Sequence, residues 1–450
     1  MNFQVLLVIP LIFLIRYLQG IYWNYKFNCK PIKHRRIVNP FNSVTVSKSG
    51  RALDIEHEGF KDTKTLQVYI LFKSFVVTCD RDNIKHLMNT HHSIGLRKQL
   101  SKSLLGHGVF SSDGKQWKHS RELLRPLFKM PQLSHLDVHF HDFLKYINQP
   151  VELQSLFQKL AFDINSEFLF GQSVNSLNDP SQDYLDFEKA SEKLAKYNPL
   201  KTILVTVLGE YHSLFEPKYV GDAIKTVHKF IQNYIHENNG GLINDLVNQK
   251  LSPKEIQDQV LSVMVAGKNT TSSLLTYLFL ELSQNPDLYN ELREEVLKLD
   301  EITIANLNTC KVLNNYINES LRLHPPIPRN LRKTVSPVIL PHGNDENPSY
   351  LPKGTTVIFN IYSLHRSSEF GPDPESFSPK RWNTIKPKSF MPFGYGPRMC
   401  LGKELSLVES RYIIVKLVTM FKGLKKISGG ELTNSGPSLK LLDGLTVEFF

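Results

Sequence analysis

Apolar positions are most continuous between Ser252 and Gln284. Ser252, followed by Pro253 and by Glu255 three residues on, reads as a capping box with proline at the first helical position. Behind it Ile256, Val260, Leu261, Val263, Met264 and Val265, then Leu274, Leu275, Leu278 and Phe279, cover several faces. The pattern predicts a helix running through the core and stopping before Pro286. At about 1.5 Å per residue it would cross the whole domain. Its middle, Ala266-Gly267-Lys268-Asn269-Thr270-Thr271, is a small and polar island.

Elsewhere the same patterning predicts two short strands, Leu66–Phe72 and Phe75–Cys79, joined across Lys73-Ser74, and then a helix over Asp82–Asn89. Residues 135–250 are helical in pattern, with an apolar-faced stretch from Phe157 to Phe170 ending at Gly171. Asn315 to Leu323 reads as a helix that ends at Pro325-Pro326. Leu401, Leu405, Val408, Tyr412 and Val415 recur at helical spacing, so Cys400 is expected to open a helix.

Charge narrows the partners. Fifty-four Lys and Arg against 43 Asp and Glu give the 450 residues a net charge of +11, spread along the chain rather than blocked. That favours an acidic redox partner or an anionic membrane surface over nucleic acid, although most of the lysines are expected simply to solvate the surface. The four cysteines, Cys29, Cys79, Cys310 and Cys400, show no CxxC spacing and no disulfide framework, which points to a reducing compartment. Phe3 to Ile15 is apolar apart from Gln4, and Arg16 interrupts before a Tyr22–Trp23–Tyr25 cluster suited to an interface. A full span needs about 20 residues, and Arg16 can snorkel. Lys26, Lys30, Lys33, Arg35 and Arg36 follow. We read residues 1–25 as an uncleaved N-terminal membrane anchor, 26–40 as a basic linker and 41–450 as the catalytic domain, on the cytosolic side by the positive-inside rule. An interfacial helix is the second reading of the anchor, and a cleaved signal peptide the third.

The chemistry concentrates in Phe393-Gly394-Tyr395-Gly396-Pro397-Arg398-Met399-Cys400-Leu401-Gly402. A cysteine at a helix N-terminus meets free N–H groups and a positive dipole end, which favour thiolate over thiol. In a tight glycine turn such a thiolate suits an axial iron ligand; the alternative is a buried structural cysteine. Here the chain resembles the haem-thiolate monooxygenases, the cytochrome P-450 family, whose ligand loop Phe-x-x-Gly-x-Arg-x-Cys-x-Gly is filled by Phe393, Gly396, Arg398, Cys400 and Gly402. The resemblance implies a mainly α fold with a small β-rich lobe, haem b lying between the long central helix and the cysteine loop, and Cys400 as the iron ligand. It implies that Phe393 packs beside the sulfur and that Arg398 pairs with a haem propionate. Trp117 and Arg121, four apart on one helix face, resemble the family's propionate-holding pair, and Arg332 is a further candidate. Glu319 and Arg322 would be an ordinary surface pair by themselves. The family pattern makes them a buried structural triad with Arg381.

The polar island resembles the family's oxygen-activation motif, with Thr270 as the proton-relay threonine. Asn269 stands where the family has a carboxylate, and an amide cannot ionise. The likeness is strongest, over nearly the whole chain, to fungal and yeast members that hydroxylate n-alkanes and fatty acids. It implies insertion of one oxygen atom of O2 into a C–H bond of a hydrophobic substrate. Electrons would come from NADPH-cytochrome P-450 reductase, with cytochrome b5 as a second donor, at the endoplasmic reticulum membrane. The alternatives are a haem-thiolate isomerase or dehydratase acting on lipid hydroperoxides, an oxygenase of aromatic or sterol-like substrates, and a non-catalytic haem sensor or carrier.

Overall fold

The computed structural model describes residues 22, 25–33, 35–38, 49–70, 73–90, 92–128, 132–345 and 347–450. The expected anchor therefore lies almost wholly outside the described residues, as does part of the basic linker. No helix among the described residues is long and apolar enough to cross a membrane.

The chain is mainly helical with small sheets, as the resemblance implies. The Ser252 pattern becomes one unbroken helix, Pro253–Gln284, with both hydrogen bonds of the capping box formed. It separates two apolar cores. Its first half, Ile256 to Met264, packs with Leu124, Phe162, Phe187 and Phe230, which come from four other helices. Its second half, Leu274 to Leu282, packs with Phe140, Phe157, Tyr316 and Ile413. Between the two cores the central helix opens: Val265, Ala266 and Asn269 are exposed, as elsewhere on it are only residues 253–255 and Gln284 at its ends. A helix apolar all round is explained by burial between two cores. The polar island marks where they part.

Sheet structure is gathered at the edges. A five-stranded sheet runs in the order Arg35–Val38, Thr65–Ile70, Lys73–Thr78, Thr356–Asn360, Arg329–Lys333. The predicted hairpin is present with a shifted turn. Lys73 and Ser74 pair with Ile70 and Tyr69 inside the second strand rather than forming the connection. The hydroxyls of Thr65 and Thr78, 3.1 Å apart and buried, fix that register from the far end. Asp80 then caps the next helix, Arg81–Asn89, by accepting from the amides of Asp82 and Asn83. A three-stranded sheet of Val151–Glu152, Leu445–Phe449 and Leu424–Gly429 lies against the second core.

Glu319, Arg322 and Arg381 converge. Glu319 and Arg322 are both 0% exposed. Arg322 grips Glu319 through Nε and Nη2, both at 2.9 Å, and Arg381 Nε reaches the same carboxylate at 2.9 Å. Trp382 Nε1 and the Ser378 amide also donate to it, at 2.9 and 2.7 Å. The remaining guanidinium hydrogens of Arg322 go to the carbonyls of His365, Pro374 and Ser376. The network thus ties the Lys311–Leu323 helix to the irregular segment from 365 to 382. His365 passes the constraint on: its Nε2 accepts the Met391 amide at 3.1 Å, two residues before Phe393. That bond needs a neutral ring, and burial holds the His365 pKa down at about 3. Removing one member leaves its partners as unpaired buried charges. Arg322→Ala is expected to cost about 3–5 kcal/mol, read as a lowered denaturant midpoint or loss of soluble protein; a wild-type midpoint would contradict this.

Candidate active site

The cysteine loop sits where the two cores meet. Leu401 packs on the first core, and Phe393 on the second. Cys400 lies between these two anchors along the chain. The loop needs its glycines: Gly394 and Gly396 have φ of +77° and +70°, and a Cβ on Gly396 would stand 2.7 Å from the Met88 carbonyl oxygen. The Cys400 amide donates to the Phe393 carbonyl at 3.0 Å, closing the loop.

One expectation fails locally. Cys400 does not open a helix. Leu401 and Gly402 form a turn, and the helix runs Lys403–Met420 with Gly402 at its N-cap. The sulfur still gains a helix-end donor, because the Gly402 amide favours the thiolate, helped by the positive charges of Arg121 and Lys403. Burial outweighs these and raises the thiol pKa. Cys400 is nevertheless exposed. A residue surrounded by protein and yet accessible faces an internal space.

Beside it lies a strongly cationic cluster. Arg332 is 3% exposed, on the edge strand of the five-stranded sheet, and its Nη1 donates to the Leu331 carbonyl. Arg398 donates to the Ser112 carbonyl and to Asp113 Oδ1 at 3.0 Å, and its guanidinium lies 4.2 Å from the Trp117 ring centre. Arg121 lies over the same ring at 5.9 Å. Trp117 and Arg121 thus share one face, as their spacing implies. The sequence reading missed Arg97. It stacks on Phe110 at 4.6 Å, and its Nε is buried without a partner. Burial pulls its pKa down to about 9, and the like charges of Arg332 and Arg398 push the same way. Burial brings Arg332 and Arg398 down to about 10. His92, 5% exposed, has neither ring nitrogen paired. Among the described residues, Asp113 is the carboxylate that acts on Arg97, Arg332 and Arg398. Such a cluster calls for an added anion. Two carboxylates on a flat apolar group, next to a cysteine open to an internal space, satisfy it, so the residues present fit a haem.

On the central helix, Thr270 Oγ1 donates to the Ala266 carbonyl at 2.8 Å, which leaves its oxygen free to accept. Asn269 is exposed and makes no side-chain hydrogen bond among the described residues. Gly267 does not open room at the exposed face. The place its Cβ would take is filled by Asn165 Nδ2, 1.9 Å away, from the Leu153–Phe170 helix. Lys268 turns to that side too, 4.7 Å over the Phe162 ring, where burial lowers its pKa against the pull of Glu188, Asp163 and Glu192.

A long helix bearing this stretch, a cysteine loop held between the two cores and a cluster of half-buried and buried arginines match a haem-thiolate protein. The chain belongs to the cytochrome P450 family, whose model matches residues 56–435. It is a P450 monooxygenase, an oxidoreductase with a haem-thiolate cofactor that works with a redox-partner reductase on a hydrophobic substrate. It is 34% identical to cytochrome P450 52A13 of Debaryomyces hansenii, over 86% of this chain and 83% of that one. It is 33% identical to cytochrome P450 52A9 of Candida maltosa, over 89% and 88%. Cytochrome P450 52C1 of Candida tropicalis is 30% identical, over 94% of each. Among solved structures, a cytochrome P450 (CYP102L1) superposes with a TM-score of 0.75 at 19% identity, covering 89% of this chain and 98% of that one.

If anions on the haem relieve the repulsion among the arginines, Arg97→Gln should move two measurements in opposite directions. The haem-free protein should melt higher than wild type. Haem transfer to a scavenger protein should speed up by roughly ten-fold, the equivalent of about 1.4 kcal/mol. A variant that lowers both, or neither, would remove Arg97 from the site.

Proposed function

We propose that this chain hydroxylates a fatty acid or alkane chain, that the Cys400 sulfur would bind the iron of haem b, and that Arg97, Arg121, Arg332, Arg398 and Trp117 would hold its propionates. The observation that carries the proposal is the coincidence of the two openings. Away from its ends the central helix is exposed only at Val265, Ala266 and Asn269, and the cysteine loop is anchored to the two cores that part there. The relatives named above support the substrate class by similarity alone. When bound, the haem-thiolate supplies the activation of O2.

This chain's own residues have simpler tasks. The Glu319–Arg322–Arg381 network and His365 position the loop before Cys400. Phe393 and Leu401 exclude water from its flanks by packing on the two cores. Thr270, with its hydrogen already given to Ala266, accepts from a water and holds it at the open face. Ala266 and Val265 present an apolar floor against which a hydrocarbon can lie. Electrons would come from NADPH-cytochrome P-450 reductase, with cytochrome b5 as a second donor. Residues 1–25 would fix the enzyme to the endoplasmic reticulum membrane with the catalytic domain in the cytosol, after the 26–40 linker.

Reconstitution with that reductase, NADPH and 18O2 tests the reading. A long-chain fatty acid or alkane should gain one labelled hydroxyl per turnover. Conversion of a lipid hydroperoxide without reductase or O2 would instead establish the isomerase reading, which the amide at Asn269 favours. In the same assay Thr270→Ala should lower the product formed per NADPH and raise hydrogen peroxide by several-fold. Asn269→Asp should raise the product yield. Unchanged ratios in both variants would count against an oxygen-activating role for this stretch.

A further inference from the structure

The chain lacks a carboxylate at 269, yet a monooxygenase must take up protons: RH + O2 + 2e⁻ + 2H⁺ gives ROH + H2O, with the electrons supplied by the reductase. Beside Asn269 the structure encloses a small cavity between the central helix, the Leu153–Phe170 helix and the Leu439–Leu441 strand. The space open to a water's centre there is about 10 Å³, at the lower limit of room for one water. Its wall is polar. Asn269 and Gln158 make no side-chain hydrogen bonds among the described residues, and Ser273 Oγ is buried without a partner in a side chain only 4% exposed. An unpartnered buried hydroxyl is costly, and a water bonded to two to four polar groups removes that cost. Gln154, by contrast, is already engaged with the backbone of Leu441, at 2.8 and 3.0 Å, and fastens the strand over the cavity. Lys440, which also lines the cavity, is exposed to solvent.

We propose that Asn269, Ser273 and Gln158 hold an ordered water that carries protons from solvent at Lys440 to the water on Thr270, in place of the carboxylate missing at 269. The proposal rests on the monooxygenase reading above. In each transfer the cavity water accepts a proton from a water at the mouth and releases another of its protons toward Thr270. It ends neutral, and no side chain changes charge. The amide is then a holder, not a carrier. It donates through its NH2 and accepts through its carbonyl, fixing the water's orientation where a carboxylate would have shuttled the proton itself. Neighbouring Ser272 has its hydrogen directed at the Lys268 and Asn269 carbonyls, so toward a cavity water it can only accept.

Two readouts test this on the holoenzyme: a high-resolution crystal structure, and the ratio of peroxide to hydroxylated product. Ser273→Val removes the hydroxyl and fills the cavity with apolar bulk; Gln158→Leu acts from the other helix, should the first variant fold poorly. In wild type a water should lie within hydrogen-bond distance of Asn269 and Ser273. In the variants it should be absent, and peroxide per NADPH should rise several-fold at unchanged haem content. Wild-type density with no water overturns the site, whatever the enzyme turns over. Loss of the water with an unchanged peroxide-to-product ratio overturns the relay while leaving the site. A wild type that forms no product with reductase and O2 overturns the monooxygenase reading and the relay with it.

Discussion

Much of the architecture follows from one electrostatic constraint. Arg97, Arg332 and Arg398 are brought together in the interior with Asp113 as the carboxylate that acts on all three. Desolvation disfavours the charged form of all three, like charges add to it at Arg97 and Arg398, and the depressed pKa values express that strain. Guanidinium does not deprotonate at neutral pH, so relief has to come from added negative charge. A dianionic haem would provide it. Folding and cofactor retention would then be linked through these side chains, with the arginines a receptor that is expensive to leave empty.

The second constraint is mechanical. Cys400 has to be held at a fixed place on a loop whose glycines would otherwise let it wander. Two devices prevent this. Phe393 and Leu401 clamp the loop to different cores, so neither end moves without disturbing packing. The saturated network around Glu319 reaches the loop through His365 and Met391. Glu319 accepts five hydrogen bonds and Arg322 donates five, so the buried pair has its hydrogen-bonding capacity met. Such pairs are poor sources of stability but severe penalties when broken, which suits a positioning role.

The legible parts of the sequence were those where a pattern is local. The Ser252 capping box and the all-round apolar run predicted the central helix to its ends. The cysteine window and the Glu-x-x-Arg spacing located the loop and the network, with Arg381 joining from 62 residues away as the family resemblance implies. What stayed hidden depends on tertiary approach. Arg97 sits on a helix of modest amphipathicity and looks like a surface cation until Phe110, Arg332 and Arg398 close on it. Nothing local to Gly267 shows that Asn165 from another helix occupies the place of its missing Cβ. Ser273 and Gln158 are ordinary helix residues until a strand more than 150 positions away covers them. The offset between Cys400 and its helix was lost because helical spacing from Leu401 onward cannot distinguish a turn of two residues from the first residues of a helix.

Cys400 is the residue on which the account stands, because the cationic cluster, the network and the open stretch of the central helix acquire a common purpose only if its sulfur binds iron. The most direct measurement is the carbon monoxide difference spectrum of the reduced protein, recorded for wild type and for Cys400→Ser with haem content determined separately. A thiolate pushes electron density onto the iron and moves the Soret band of the carbon monoxide complex strongly to longer wavelength. The account predicts that band in wild type and its disappearance in Cys400→Ser, even in the fraction of variant that retains haem. A variant that keeps the thiolate band, or a haem-loaded wild type that lacks it, would contradict the account at its centre.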